Sequence, residues 1–451
     1  MRRIISAAAR RHSPSGREEA GALAAADILL ERADEAARRV PGARRGMLGG
    51  SLAKGTWLAE GADIDIFVGF DPSVPRERFN AGALDIGFAA LKGCPAYTKY
   101  SEHPYVEGTF RGRRANIVPY YETEPGRWQS AADRSPHHTR LMTSSLTPRM
   151  RGDVRALKVF LREAGMYGAE IARQGFSGYV SEVLVLHFGG FEGVVRGMAS
   201  ASRGDVIGKT SKKFDTAVSI ADPVDPARNL AAAISPQNMA GFVLLCRGFV
   251  ERPSAAYFEP RGAPPGGAPW GNVLAVSFGI GEKRPDTAWG QAKRAAASLA
   301  RQLREGGFEV HRHAAHVDGR AHLIFLLGST TIPAYHVNSG PDALSAGADA
   351  FIEKNRGEAA ALWVGPDGRL ASLRRRAHTD AASLARSILE GGRAPAGLRG
   401  DLGRGLTIST GGRIGKSIKE AAAGLVSSDV ALARPGSKAG RGAARRNPGV
   451  S

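Results

Sequence analysis

A chain of 451 residues is long enough for two to four domains, each with its own core, and 43% hydrophobic with 23% charged residues is ordinary for a soluble globular protein. The net charge of +19 favours a polyanionic partner, nucleic acid ahead of an anionic membrane surface. No window approaches the apolar run of a spanning helix, the basic N-terminus lacks the apolar stretch of a signal peptide, and Cys94 and Cys246 lie outside any CxxC or Cys/His cluster. A cytoplasmic protein without membrane anchor, disulfide scaffold or zinc site is therefore expected.

In chain order, an alanine-rich amphipathic pattern predicts a helix from Ala20 to about Arg39, ended before Pro41-Gly42. A short apolar piece at Met47-Leu48, a Gly49-Gly50-Ser51 turn and a β-branched strand from Asp63 to Phe70 follow. Tyr105 to Tyr121 reads as a hairpin with Arg111-Gly112-Arg113 near its turn. These make an α/β domain over residues 1–145. From Asp153 onward, DVRALKVFLREAGMYGAE and GYVSEVLVLHFGGFEGVVRGM repeat apolar residues at helical spacing, which predicts a helical middle domain over 146–265. A Pro/Gly cluster from Glu259 to Pro269 marks a boundary.

Beyond it come a strand (Asn272 to Phe278), a helix (Thr287 to Glu305), two strands (Phe308 to His316, Ala321 to Leu327), a helix (Asp349 to Asn355) and a strand-like piece (Ala360 to Val364). That order predicts an α+β region over 270–425, with helices on one face of an antiparallel sheet. The end of the chain, 426–451, reads as a disordered basic tail: ALARPGSKAGRGAARRNPGVS carries five basic residues and no acid. Without that stretch the body still carries about +14.

The most informative stretch is Gly49 to Trp57 followed by Asp63-Ile64-Asp65-Ile66-Phe67-Val68. Side chains alternate along a strand, so Asp63 and Asp65 share one face while Ile64, Ile66 and Val68 share the other. Two carboxylates about 6.6 Å apart along the strand suit ions about 3.5 to 4 Å apart, and Mg²⁺ favours such hard oxygens together with substrate phosphates. A Gly-Gly-Ser turn that opens a helix offers backbone N–H groups and a hydroxyl to a triphosphate, with Lys54 one turn on as a point charge. Alone, a Gly-Ser turn is usually a helix cap and a DxD an exposed polar face. Their ordered combination, with Asp63 twelve residues after Ser51, is far rarer and is the signature of a polymerase-β-like nucleotidyltransferase palm.

GGSLAKGTWLAEGADIDIFVGF, YSEHPYVEGTFRGRRANIVPYY, SAADRSPHHTRLM, DVRALKVFLREAGMYGAE, GFSGYVSEVLVLHFGGF, DPVDPARNLAAAIS and WGQAKRAAASLARQLREGGFEVHRH stand in the order of the corresponding segments of archaeal-type (class I) CCA-adding enzymes. The chain resembles that family over most of residues 20 to 370. The resemblance implies a palm, a helical neck and an α+β body and tail that bind tRNA. It also implies CTP and ATP as substrates, Mg²⁺ as cofactor and a homodimer. Carried over residue by residue, Ser51 and Lys54 match triphosphate-holding positions, the second commonly arginine in the family. Asp63 and Asp65 match the first two metal-binding carboxylates, the first sometimes glutamate. Lys158 and Tyr167 match nucleotide-binding positions, and share a face only if the helix ends near Gly165. A family histidine falls on His138, with Thr139 as the competing alignment. Arg228 matches an arginine that reads the incoming base together with the RNA backbone, while Asp222 and Asp225 beside prolines are expected to form turns. Other activities of the same palm superfamily, poly(A) addition and antibiotic nucleotidylation, and a catalytically weakened tRNA-binding protein are the rival readings.

The chain departs from the family at one central place. Where the family carries a third carboxylate in a D-[VI]-V-P pattern, this sequence has Asn116-Ile117-Val118-Pro119. Asparagine offers one carbonyl oxygen and cannot act as a base. A slow enzyme is therefore expected, unless Glu107 or Glu122 substitutes or water carries the proton.

Overall fold

The computed structural model describes residues 1–260, 270–391, 398–429 and 431–432, and these fall into two compact units, one built from residues up to 260 and one from residues 270 to 429. The first unit opens with helices α1 (Arg2–Arg11) and α2 (Gly16–Ala37). The second helix starts ahead of Ala20 because Ser15 caps it: its hydroxyl accepts from the Glu18 N–H, and the Glu18 carboxylate accepts from the Ser15 N–H at 2.7 Å.

Strand β1 (Ala43–Leu48), the short helix α3 (Gly50–Lys54), strand β2 (Ile64–Phe70), helix α4 (Arg76–Ala90) and strands β3 (Ala96–Tyr100), β4 (Pro104–Phe110) and β5 (Arg113–Tyr121) complete the α/β layer. The five strands lie in the order β1-β2-β5-β4-β3, with β2 and β5 parallel and the other pairs antiparallel. Arg111 and Gly112 both have positive φ, 49° and 74°, as the predicted tight hairpin turn requires. Alternation sorts the sheet's two faces. Ile64, Ile66, Val68, Ala115, Ile117 and Val106 are buried with α2 and α4 in one core. Helix α4 comes close because Gly87 has no side chain; a Cβ there would stand 2.4 Å from Val106 Cγ2. On the other face, Asp65 is registered against Asn116, Asn116 against Glu107, and Glu107 against Tyr97.

Helices α5 (Arg134–Ser145), α6 (Pro148–Glu163), α7 (Gly178–Phe188) and α8 (Phe191–Ala199), the paired strands β6 (Asp205–Ile207) and β7 (Val218–Ile220), and helix α9 (Pro236–Glu251) form the helical layer. Its core gathers Leu157, Phe160, Phe191 and Phe249. Ile5, Ala8 and Ala9 of α1 join that core rather than the sheet's, because their i, i+3, i+4 spacing presents one apolar stripe to α6. The sequence boundary at 145 therefore misplaces the first helix.

The second unit contains β8 (Val273–Gly279), α10 (Pro285–Glu305), β9 (Val310–Val317), β10 (Arg320–Leu327), β11 (Tyr335–Asp342), α11 (Ala348–Asn355), β12 (Ala361–Val364), β13 (Arg369–Arg375), α12 (Ala381–Glu390), α13 (Arg399–Leu402), β14 (Thr407–Thr410) and α14 (Lys416–Ala422). Its antiparallel sheets have the orders β14-β8-β10-β9 and β11-β13-β12. Helix α10, as the sequence predicts, and helix α12, which the sequence reading did not foresee, cover Leu274, Val276 and Phe278. The opposite face is covered too: Val273, Ala275 and Ile324 pack against Ala422 and Leu425. The expectation of helices on one face alone fails because β8 is apolar at both alternating sets of positions, the mark of a strand buried on both sides.

Order continues past 426. Arg312 of β9 donates to the carbonyls of Leu425 at 3.0 Å and Ser427 at 2.9 Å, and pairs with Asp429 at 2.8 Å. The rest of the expected tail from 433, and the Pro/Gly cluster from 261 to 269, lie outside the described residues.

Candidate functional site

The carboxylate pair stands where the sequence puts it, at the start of β2. Asp63 pairs with Arg114, and Asp65 accepts a 2.8 Å hydrogen bond from Asn116 Nδ2 on the neighbouring parallel strand. The turn before α3 packs directly on this pair. Gly49 N–H donates to the Asp65 carbonyl at 2.8 Å, and Gly50, at φ +64°, sits so close that a Cβ would come 2.0 Å from Asp65 Oδ2. Burial pushes the Asp65 carboxyl above its ordinary value, with Asp63 adding to the rise and the Asn116 hydrogen bond opposing it. Of the acids considered as substitutes for a third carboxylate, Glu107 lies opposite Asn116 but is engaged by Tyr97 and by Lys99 at 2.9 Å, and Glu122 is exposed beyond the end of β5.

Ser51 is the second residue of α3, beside this turn; Lys54 at its end does not point freely at solvent. Its ammonium donates to Glu182 Oε2 at 2.6 Å, while Thr56 donates to Glu182 Oε1 at 2.6 Å. Lys158, 2% exposed, reaches the same centre: it donates to the Thr56 carbonyl at 2.8 Å and lies 4.0 Å from Glu182, itself 1% exposed. Burial lowers the Lys158 ammonium to about 8 against the pull of Glu182. Helix α6 ends at Glu163 and Gly165 turns the chain at φ +74°, which meets the condition for Lys158 and Tyr167 to share a face. A Cβ on Gly178 would lie 3.2 Å from the Tyr167 hydroxyl oxygen and 3.6 Å from Lys158 Nζ, so both reach one spot. Burial pushes the Tyr167 phenol up to about 12.

The third group centres on Asp222, which is fully buried. Its Oδ2 is 2.9 Å from His138 Nε2 and accepts from Arg228 Nη1 at 3.1 Å; its Oδ1 accepts from the Tyr179 hydroxyl at 3.1 Å and the Val224 N–H at 3.0 Å. Burial alone would raise this carboxyl, but the His138 hydrogen bond, the Val224 N–H and the Arg228 charge together hold it down to about 2. Burial also lowers His138, against its bond to Asp222, and favours the neutral ring. Thr139, the competing alignment, bonds back to the Ser135 carbonyl of its own helix at 3.0 Å.

Tyr179 joins the second and third groups: it stacks on His138 with ring centres 3.9 Å apart and presents its face to Lys54 at 5.6 Å. Sequence reading missed Tyr179, Glu182 and the central place of Asp222. A signal for Glu182 existed, since a lone carboxylate in the apolar run VSEVLVL of α7 needs a buried partner. Asp222 does form the expected turn through Val224, and Asp225 does so through the Ala227 N–H while pairing with Arg134 at 2.8 Å.

Among the described residues no three His, Cys, Asp or Glu side chains converge as a metal site. The donor set nonetheless fits a hard cation of the Mg²⁺ type. Asp63 and Asp65 supply carboxylate oxygens, and Asn116 Oδ1 is buried with no hydrogen-bond partner among the described residues. Two carboxylates and an amide oxygen leave room for the substrate phosphates that such ions take as ligands.

Family comparisons agree with this organisation. The nucleotidyltransferase domain family matches residues 33–138, the second domain of tRNA nucleotidyltransferase matches 152–259, and the C-terminal domain of the CCA-adding enzyme matches 271–397. The CCA-adding enzyme of Pyrobaculum neutrophilum is 38% identical over 355 residues, covering 76% of this chain and 84% of that protein. That of Saccharolobus solfataricus is 36% identical over 343 residues, 75% and 82% of the two chains, and that of Halobacterium salinarum is 35% identical over 364 residues, 78% and 80%. With a polymerase-β-like palm, a helical second domain and a matching C-terminal domain in one order, the chain belongs to the family of archaeal CCA-adding enzymes.

Proposed function

We propose that this protein is a tRNA nucleotidyltransferase that adds CMP and AMP from CTP and ATP to build or repair the 3′ CCA end, without a nucleic-acid template. The observation that carries the reading is the assembly, within one compact unit, of the Asp63/Asp65 pair, the Gly49-Gly50-Ser51 turn and the buried cations and aromatic rings grouped around Glu182 and Asp222. The 3′-hydroxyl oxygen of the RNA forms a bond to the α-phosphorus of the nucleotide, and the bond from that phosphorus to the bridging oxygen breaks to release pyrophosphate. Asp63 and Asp65, with the Asn116 carbonyl, would hold Mg²⁺, which when bound supplies positive charge to the reacting phosphates.

Ser51, Lys158 and Tyr167 bind the nucleotide in this reading, and Lys54 does so while anchored to Glu182. Near neutral pH Lys158 is charged and His138 is neutral, so one offers a cation to a phosphate and the other a hydrogen bond without charge. Arg228, fixed at one end by Asp222, presents its planar fork to a base edge. Asn116 takes no proton from the attacking hydroxyl, which must pass to water, and this favours a slow reaction. The second unit is assigned to tRNA binding, and a cytoplasmic homodimer completes the proposal; no helix among the described residues is long and apolar enough to cross a membrane.

Labelled CTP and ATP offered to tRNA lacking its CCA end test the reading. Incorporation of CMP followed by a single AMP is expected, and Asp65→Ala should abolish it with tRNA binding intact. Long ATP-only tails would identify a poly(A)-adding enzyme, and binding without incorporation a tRNA-binding protein.

A further inference from the structure

Strand β5 gives the carboxylate pair two unlike neighbours. Arg114 and Asn116 stand two positions apart and so share the face of the sheet that carries Asp65 and Glu107. The Asn116 amide donates to Asp65 Oδ1 at 2.8 Å, and Arg114 Nη2 donates to Asp63 Oδ2. Each carboxylate assigned to the metal therefore already holds a donor from the same strand.

The two donors differ in charge and in freedom. Asn116 is neutral, whereas Arg114 brings a full positive charge on which Asp63, Asp65 and Glu107 all bear. Glu107 is committed to Tyr97 and Lys99, which leaves Asp63 as the partner of Arg114. The Arg114 and Asp63 side chains are 57% and 37% exposed. An ion pair so open to water gains little and is readily exchanged. A hard cation arriving at Asp63 competes with the guanidinium for the same carboxylate oxygens and repels it at contact range. The displaced guanidinium lies beside the place where negative charge arrives with the nucleotide. The Gly49-Gly50-Ser51 turn packs on Asp65, and Asp65 is within electrostatic reach of Arg114. A planar fork of N–H donors suits phosphate oxygens as well as it suits a carboxylate.

We propose that Arg114 is a further triphosphate-binding residue, held on Asp63 until a hard cation takes that carboxylate and then passed to the nucleotide phosphates. One side chain thereby couples the two binding events: the cation frees Arg114 for the nucleotide, and the nucleotide draws Arg114 away from the cation's ligand. The inference rests on the proposed nucleotidyl transfer and adds to it a phosphate contact that depends on the metal.

The test uses binding alone, with Mn²⁺ as a spectroscopically visible hard cation and CTP as the nucleotide, on the full chain and on Arg114→Gln and Arg114→Lys. Without nucleotide, Arg114→Gln should bind Mn²⁺ about tenfold more tightly than wild type, the order by which a group bonded to a metal ligand changes affinity. With saturating Mn²⁺ the same variant should bind CTP about tenfold or more weakly, as loss of a charge-assisted hydrogen bond implies. With EDTA in place of Mn²⁺ the difference in CTP affinity should shrink to about twofold or less, because Asp63 then retains Arg114 in the wild type. Arg114→Lys keeps the charge and loses the fork, so its Mn²⁺ affinity should stay near wild type while CTP binding falls in between. Melting curves identify a variant that fails to fold, in which case Arg114→Lys carries the comparison. Equal Mn²⁺ affinity in wild type and Arg114→Gln, a loss of CTP affinity as large with EDTA as with Mn²⁺, or no loss at all would each overturn the proposal. Failure of the wild type to incorporate nucleotides would defeat the functional reading separately, because these binding differences need no turnover.

Discussion

Replacing Asp222 by asparagine keeps the side chain's shape while removing the charge on which His138, Tyr179 and Arg228 converge. An amide has one acceptor oxygen and one donor group. With its oxygen toward Tyr179 and Val224, its NH₂ faces His138, which can accept, and the Arg228 guanidinium, which cannot. The Arg228 tether is thus lost, and a hydrogen bond to a charged group contributes about 1.5–3 kcal/mol. A second route gives a similar size. The Asp222 carboxyl is held down from 3.8 to about 2, which corresponds to about 2 kcal/mol of preference for the charged form in the folded chain. Asp222 is wholly buried, so solvent screening takes little from this figure. The first unit of Asp222→Asn should therefore unfold at lower denaturant, by about 2–3 kcal/mol. The pH dependence has a definite sign. A folded pKa below the unfolded one gives stabilisation that is complete above 3.8 and disappears as pH falls toward about 2, so this part of the acid sensitivity should be missing from the variant. Nucleotide selection should blur because Arg228 is no longer aimed. Unfolding free energy and CTP and ATP incorporation all equal to wild type would refute the role given to Asp222.

Other consequences can be measured with the same protein. Lys158 loses its proton above about 8, so KM for CTP and ATP should rise through that pH in the wild type, whereas Lys158→Gln should bind both weakly with a flat profile; a flat wild-type profile would remove Lys158 from the phosphate. Asn116→Asp restores a third carboxylate beside Asp65 and should raise incorporation by about tenfold or more, toward the roughly 10²–10⁴ that a positioned base contributes, while lowering the Mg²⁺ needed for half-maximal rate; no change or a loss would refute the assignment. With a net charge of +19, the affinity for tRNA should fall at least about tenfold between roughly 50 and 200 mM salt, and a flat dependence would argue for a small-molecule substrate.

The sequence by itself determined what depends on neighbours along the chain. Alternation on β2 separates Asp63 and Asp65 from Ile64 and Ile66, and the turn at Gly165 ends α6 so that Lys158 and Tyr167 come together. The helical apolar spacing of α10 and the apolar run of β10 announced their elements for the same reason, whereas the polar strand β11 gave no periodic signal to read. What joins distant segments was decided by the tertiary structure. Asn116 lies beside Asp65 because β2 and β5 run parallel in one register, and a parallel pairing needs a long crossover whose register no local pattern contains. Lys54 looked like a free phosphate ligand until packing brought Glu182 within 2.6 Å, and Asp222 looked like a turn residue until burial gathered His138, Tyr179 and Arg228 around it. A charged group in a folded interior must find a partner, and which partner it finds depends on which elements pack over it, a relation that spacing along the chain does not record.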